Sequence, residues 1–482
     1  MVRQSRSPKL VFICKECGHE SAKWMGFCPS PACGSGLPLV ESRPLPPTSS
    51  KQGWTDPQST TVQELAQVSH ESHPRVELSS GELNRVLGGG LVPGSVVLLA
   101  GEPGVGKSTL LLQIAQAVAT QNQKVLYVSG EESPQQLKIR SERLGFPGKG
   151  VYLFSETDVD LVVNQLEETK PALGIVDSIQ TLYCQDTTSG PGSVAQVREA
   201  GLRLMRWAKQ RHVPLLLAGH LTKDGSVAGP RVLEHMVDVV AYMESQEFSD
   251  YRILLSTKNR FGPTSEVGVF EMTGLGLVDV ADPSKALLSQ RYEQAVGTAL
   301  VPVLEGSRPM LMEIQALTSP SQLPVPRRVA NGVDHNRLLM LAAVAYRRAG
   351  LELGNQDIIV SVAGGFRVSE PAADLAIVLA LASSMRNQAL DSRLAAIGEV
   401  GLSGEIRSVP QAQRRLAEIA RLGLSSCVVS ENVVDGLSAP LGIRLIPVRT
   451  LRQAFQAVLG NGRAAAKEDG AESELYQSLD PE

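Results

Sequence analysis

The sequence predicts an α/β protein centred on a doubly wound parallel sheet that carries a phosphate-binding loop, and three observations lead there. Residues 101–108 read Gly-Glu-Pro-Gly-Val-Gly-Lys-Ser, which satisfies G-x-x-x-x-G-K-[ST]. Short apolar runs recur behind that loop, several of them closing on a polar or acidic residue. Strand-then-helix units of this kind build parallel sheets that take ligands at the carboxyl ends of their strands. In front, four of the six cysteines lie between positions 14 and 33, the spacing of a metal-bound module.

Composition sets the frame. The chain has 482 residues, enough for two or three domains. Lys and Arg number 46 against 50 Asp and Glu, for a net charge of −4, which does not advertise a nucleic-acid protein. The charge is uneven: residues 1–51 are rich in basic side chains and residues 463–482 in acidic ones. The acidic stretch reads as a solvated tail, expected to be disordered. No apolar run reaches the length of a membrane span and no apolar segment follows the basic N-terminus, so a soluble cytoplasmic protein with no membrane partner is expected. Six cysteines in such a length do not make a disulfide scaffold.

The elements follow in chain order. Cys14, Cys17, Cys28 and Cys33 form C-x2-C, a spacer of ten residues, and C-x4-C. Four thiolates on two tight turns can close a tetrahedron around Zn²⁺, and with all four positions filled by sulfur the site is structural. Residues 1–39 are too few to fold on apolar burial alone, so the metal would supply the folding energy. Cys184 and Cys427 stand apart and read as buried small side chains. Residues 40–75 are rich in Pro, Ser, Thr and Gln and read as a linker, with one short helical piece near Thr61–Val68.

The next domain is placed at residues 76–282. Val96-Val97-Leu98-Leu99-Ala100 is a buried strand, and Thr109–Ala119 is apolar at helical spacing. Between them, the backbone of Gly101, Glu102, Pro103, Gly104, Val105 and Gly106 would curl around the phosphates of ATP. Lys107 would reach the β- and γ-phosphates, Ser108 would ligate Mg²⁺, and Thr109 is counted with them among the nucleotide-binding residues. A second strand, Val125–Val128, ends in Ser129-Gly130-Glu131-Glu132. A carboxylate at the end of a strand beside the loop can polarise the attacking water, with Glu131 preferred over Glu132; the alternative is that both merely open the next helix. Leu173-Gly174-Ile175-Val176-Asp177 closes on an acid suited to the Mg²⁺ water shell, and Pro214–His220 ends on a residue able to sense the γ-phosphate. Loops 185–194 and 221–230 project from the nucleotide face, where they could grip a nucleic-acid backbone or be ordinary surface. Finally, Ile253–Thr257 leads into Lys258-Asn259-Arg260-Phe261-Gly262. The two cations share one side of an extended strand and could reach a neighbour's γ-phosphate as an arginine finger with a lysine partner; the plainer reading is a hairpin with a basic edge.

The cysteine knuckle with Trp24 and Gly26 inside it, the loop at 101–108 and Lys258-Asn259-Arg260-Phe261-Gly262 together resemble the bacterial RadA (Sms) family of recombination and repair ATPases, over nearly the whole chain except linker and tail. The x4 spacing from Cys28 to Cys33 is wider than the x2 expected there. The resemblance implies a RecA-like ATPase core and a homohexameric ring. It also implies a DNA-dependent ATPase acting on single-stranded and branched DNA by branch migration or unwinding, with recombinase and replication proteins as partners. The similarity of Lys258-Asn259-Arg260 to the K-x-R finger of hexameric replicative helicases supports a role in trans for Lys258 and Arg260, which join Lys107, Glu131 and Asp177 as the candidate catalytic residues, with Zn²⁺ on the four cysteines.

Residues 286–462 resemble the proteolytic domain of Lon, an α+β fold, through Gly398–Ile406 and Glu370-Pro371-Ala372-Ala373-Asp374. Lon cleaves with a serine–lysine dyad. Those positions fall on Ala372 and Gln413, and no lysine occurs between Lys285 and Lys467, so a domain inactive as a protease is expected. It is rich in arginine, which suits phosphate contacts but equally suits a solvated surface. A nucleotide-switched assembly protein without DNA translocation is the competing function.

Overall fold

The computed structural model describes residues 11–14, 19–21, 23–30, 33, 38–42, 64, 74–220, 232–245, 249–288, 292, 294–434, 440 and 442–460. Cys17, nearly all of the 40–75 linker, loop 221–230 and the 463–482 tail lie outside the described residues. The chain divides into two compact units, with the boundary between Ala281 and Asp282.

At the front, β1 (Val11–Ile13) pairs antiparallel with β2 (Glu20–Ser21) and β3 (Val40–Ser42). Among the described residues its core holds Cys14, Cys28 and Leu39, with Phe12, Met25 and Cys33 against them.

The first large sheet has nine strands in the order β12-β11-β10-β9-β4-β8-β7-β5-β6. Its elements are α1 (Gly81–Leu87), β4 (Val96–Gly101), α2 (Lys107–Ala119), β5 (Val125–Ser129), α3 (Pro134–Arg143), β6 (Val151–Phe154), α4 (Val159–Thr169), β7 (Leu173–Asp177), α5 (Val194–Arg211), β8 (Leu215–His220), α6 (Val232–Met236), β9 (Val239–Ser245), β10 (Tyr251–Asn259), β11 (Val267–Thr273) and β12 (Gly276–Asp279). From β9 to β6 every pairing is parallel; β9 to β12 form an antiparallel meander. Alternation along β4 explains why the sheet is covered twice. Val97 and Leu99 pack with α1 and α2 in one core, and Val96 and Leu98 pack with α4 and α5 in the other. Each such fully buried side chain is worth about 1.5–3 kcal/mol of transfer free energy. Capping chemistry sets the helix starts: Ser133, Asp158 and Ser193 each accept from a first-turn amide.

One expectation from the sequence is corrected here. The strand carrying Glu131 does not lie beside the phosphate-loop strand, because β8 and β7 separate β5 from β4. In a doubly wound sheet the next strand along the chain need not be the next strand in space.

The second unit holds α7 (Pro283–Leu288), β13 (Thr298–Glu305), β14 (Arg308–Pro320), β15 (Arg328–Asn331), α8 (His335–Ala349), β16 (Gln356–Val362), α9 (Asp374–Met385), β17 (Leu394–Ala396), β18 (Glu399–Val400), β19 (Ile406–Arg407), α10 (Ala412–Arg421), β20 (Ser426–Ser430), α11 (Glu431–Val434), β21 (Arg444–Val448) and α12 (Leu451–Leu459). Its mixed seven-stranded sheet runs β15-β16-β14-β13-β17-β20-β21. Helix α9 is apolar on all sides and is buried from Asp374 to Ser383, as a helix inside a core must be. The α/β fold, its parallel ATPase-type core and the α+β second unit are those the sequence predicted.

Candidate nucleotide site

The loop between β4 and α2 is shaped to receive an anion. Glu102, Pro103 and Gly104 are exposed, whereas Val105 is anchored in the core below, and Arg252 Nε donates to its carbonyl at 3.1 Å. Gly106 caps α2 at φ +117°, and a Cβ there would lie 2.6 Å from Met272 Cε. No side chain caps the helix, so the first amides are left for a ligand at the positive end of the dipole. Ser108 is half-buried and Thr109 buried in this first turn. Lys107 is only 4% exposed. Its ammonium donates to the carbonyls of Gly101 at 2.8 Å and Glu102 at 2.9 Å. Burial pushes its pKa down while the charges of Asp177 and Glu131 pull it back up, so all three belong to one electrostatic field.

Those carboxylates stand at the ends of their strands. Asp177, closing β7, is buried and accepts from Tyr127 Oη at 2.8 Å. Burial and the Asp177 charge push the Tyr127 phenol well above its ordinary range, so it stays a donor and leaves one Asp177 oxygen for other partners. Glu131 Oε1 is approached by His220 Nε2 at 2.9 Å and accepts from Ser178 Oγ. Burial raises the Glu131 pKa, but these bonds and the nearby Lys107 charge outweigh it and hold the carboxyl below its ordinary value. Glu132 is engaged differently, paired with Arg140 and with its carbonyl bonded to Ser129 Oγ. The neighbouring acids are therefore separated by geometry, with Glu131 gathered into the strand-end cluster and Glu132 paired with α3.

The basic pair sits at the far edge of the same sheet. β10 runs antiparallel to β9, with Lys258 opposite Val240 and Asn259 opposite Val239, and Val239 lies level with Val97 at the start of β4. Lys258 and Arg260 are thus at the amino edge of the parallel strands, and the loop at Gly101 is at the carboxyl edge. At about 3.3 Å per residue, β4 alone puts roughly 13–17 Å between them. Lys258 Nζ donates to the carbonyls of Glu234 at 2.7 Å and His235 at 3.0 Å in α6. Arg260 NH1 donates to Asp238 Oδ1 at 3.1 Å, and its side chain is 53% exposed. The other residues of the motif are structural. Asn259 is buried and accepts from Phe261 N at 2.9 Å. Gly262 passes so close to α1 that a Cβ would lie 3.0 Å from Gly88 Cα.

In the front module the sulfurs of Cys14, Cys28 and Cys33 lie within 4.8 Å of one another, and Cys14 and Cys33 are 3.7 Å apart. A tetrahedral Zn–S₄ centre with bonds of about 2.3 Å needs sulfurs about 3.8 Å apart, so the described donors fit. Trp24 and Phe27 stand beside them, each 60% exposed.

Loop 185–194 has a fixed root. Gln196, 2% exposed, accepts from Cys184 N and donates to the carbonyls of Cys184, Thr187 and Ser189. In the second unit, Ala372 is buried and carries no nucleophile. Near Gln413 in sequence, Arg415, 1% exposed, forks onto Glu370 with two bonds of 2.6 Å and donates to Pro302 O. Arg337 pairs likewise with buried Asp374, which also accepts from Val400 N. These fork contacts hold the segment around Ala372 in place.

Sequence reasoning missed Asp238, which organises the base of β4 and β9, and Tyr127, which orients Asp177. The signal for Asp238 was available: an acid opening the apolar run Val239-Val240-Ala241 has to find donors.

Comparison with known proteins follows the same division. Residues 75–226 match the family model described as an AAA domain, and residues 334–432 match that described as subunit ChlI of Mg-chelatase. The chain is 47% identical over 454 residues to the DNA repair protein RadA of Halalkalibacterium halodurans, covering 94% of this chain and 99% of that protein. It is 45% identical over 455 residues to the DNA repair protein RadA of Bacillus subtilis, covering 94% and 99%. With the protein of the same name from Listeria monocytogenes it shares 45% over 461 residues, covering 95% and 100%.

Proposed function

We infer that this chain, which belongs to the RadA family of DNA repair proteins, is a DNA-stimulated ATPase whose protomers complete one another's sites. A DNA repair ATPase using ATP and Mg²⁺ follows from the family and the phosphate loop. The trans arrangement rests on one observation. Lys258 and Arg260 stand at the edge of the sheet opposite their own loop, out of reach of a phosphate bound there. Stacked head to tail, one protomer's amino edge meets the next protomer's carboxyl edge, a heterologous contact that closes into a ring or runs on as a helix.

Within that reading Lys107 and the α2 amides hold the β- and γ-phosphates, and Ser108 and Asp177 hold Mg²⁺ and its water. Glu131 takes the proton of the attacking water, and Lys258 and Arg260 from the neighbour stabilise the charge that develops in the transition state. Loops 185–194 and 221–230 follow β7 and β8 and would contact the DNA backbone, so that turnover drives branch migration or unwinding of single-stranded and branched intermediates. A homohexameric ring is the simplest closed assembly, with Zn²⁺ on Cys14, Cys17, Cys28 and Cys33 folding the front module. The competing function, a nucleotide-switched assembly protein, needs none of the turnover machinery around Glu131.

Mixing variants tests the trans claim. Arg260→Ala binds nucleotide but turns it over at least about a thousandfold slower. Lys107→Ala is inactive on its own but keeps its finger. Mixed in equal amounts, about a quarter of the interfaces join an intact loop to an intact finger, and that fraction of activity returns. A mixture as inactive as its components contradicts trans use of Arg260.

A further inference from the structure

We propose that Asp238 is the positioning residue for the Arg260 finger: a buried carboxylate at the foot of the sheet that aims one protomer's guanidinium at the next protomer's nucleotide. The inference rests on the trans reading above and adds a residue which that reading does not assign.

Asp238 is 1% exposed, and an ionised carboxylate at that depth needs donors on both oxygens. It has them. Val96 N donates to Oδ2 at 3.1 Å, Lys209 Nζ reaches both oxygens at 3.2 Å, and Arg260 NH1 reaches Oδ1 at 3.1 Å. The Asp238 main chain acts in the same direction, its carbonyl accepting from Arg260 N at 3.1 Å while its own amide donates to Val96 O at 3.0 Å. Arg260 is therefore fixed at two points, backbone and guanidinium, to one residue.

The partners divide by exposure. Val96 is buried and Lys209 closes the α5 side, whereas Arg260 keeps half its side chain in solvent. A guanidinium carries five N–H donors in a rigid fork. Anchoring one nitrogen on Asp238 limits the rotation of the plane and leaves the outer donors free for a phosphate. Long side chains lose considerable rotamer entropy on being ordered, and prior anchoring removes part of that cost from the transition state. Lys209 supplies a second positive charge, so Asp238 keeps a charged partner on both oxygens when the finger shifts toward a phosphate.

Asp238 touches no nucleotide in this scheme, so its removal slows turnover without weakening ATP binding. Asp238→Asn keeps an oxygen for Val96 N and removes the charge that orients the finger. Expected are an unchanged Kd for a fluorescent ATP analogue and a kcat lower by about a hundredfold, the scale of an ångström of misplacement. Mixed with Lys107→Ala, the Asp238→Asn protein recovers activity, because its intact loop then meets a neighbour's properly held finger. In an Arg260→Ala background the same change costs nothing further. Asp238→Ser is carried through the same measurements in case Asp238→Asn fails to bind nucleotide. Two outcomes overturn the proposal: mixtures with Lys107→Ala that stay inactive, which puts the defect in the variant's own site through Val96, or full additivity with Arg260→Ala. If the Arg260→Ala mixture also stays inactive, the trans reading itself falls; if only the Asp238 mixtures do, the finger stands and its positioning by Asp238 does not.

Discussion

Replacing Glu131 by glutamine separates the two adjacent acids by function. The amide oxygen still accepts from Ser178 Oγ, and the side chain keeps its size, so the strand-end cluster survives. What is lost is the charge that shares a field with Lys107 and the ability to take a proton from water. A positioned general base contributes about 10²–10⁴ in rate, or roughly 3–5 kcal/mol of barrier, and Glu131→Gln is expected to lose that much kcat with nucleotide binding retained. Glu132→Gln breaks a pair with Arg140 in which both side chains are about a quarter exposed. That costs at most about 1 kcal/mol of stability and leaves kcat within a few-fold. The pH profile adds a check with a defined sign. Because Glu131 is held below its ordinary carboxyl value in the free enzyme, it is ionised throughout the neutral range there, so its acid limb in kcat/KM lies below that value and is absent between about pH 5.5 and 7. The assay is steady-state phosphate release at saturating ATP and Mg²⁺, with analogue binding measured in parallel. Wild-type turnover in Glu131→Gln together with an inactive Glu132→Gln would refute the assignment.

Two further expectations concern structure. Purified protein is expected to hold about one zinc per chain, and Cys28→Ala to lose it along with the fold of the front module while the ATPase unit keeps its melting transition; zinc-free wild type of normal stability would argue against a metal site. Gly106→Ala places a Cβ at φ +117° against Met272, at a cost of about 2 kcal/mol, or roughly 4–8 °C in melting temperature for a domain of this size. Nucleotide no longer stabilises that variant; a variant as stable as wild type and still protected by ATP would show that the loop tolerates another conformation.

What could be read from the sequence and what could not divides along a physical line. The phosphate loop was legible because its chemistry is local, with glycines, lysine and hydroxyl contiguous and strand and helix on either side. The strands were legible as apolar runs, and Val96, Leu173 and Leu215 lie in strands that start within a residue of expectation. Lateral order was not legible, since nothing local says that β8 and β7 intervene between β4 and β5. The preference for Glu131 over Glu132 had no local basis either. What tertiary structure adds is that His220 and Ser178, remote in sequence, converge on one Glu131 oxygen. Lys258 and Arg260 were visible as a pair, but their place at the amino edge follows from the antiparallel turn into β10. For Asp238 the sequence shows an acid that must find donors, but which donors it finds, Lys209 and Arg260, is set by tertiary packing. In the second unit the missing lysine was plain from the sequence, while the Arg415–Glu370 and Arg337–Asp374 forks depend on tertiary packing.

The central claim is that ATP turnover at the 101–108 loop is coupled to DNA. The most direct test is phosphate release with and without single-stranded DNA, using Lys107→Ala as the blank. The account predicts slow turnover that rises several-fold or more on adding DNA and is absent from Lys107→Ala under both conditions. Brisk turnover indifferent to DNA would contradict it and favour the nucleotide-switched assembly protein.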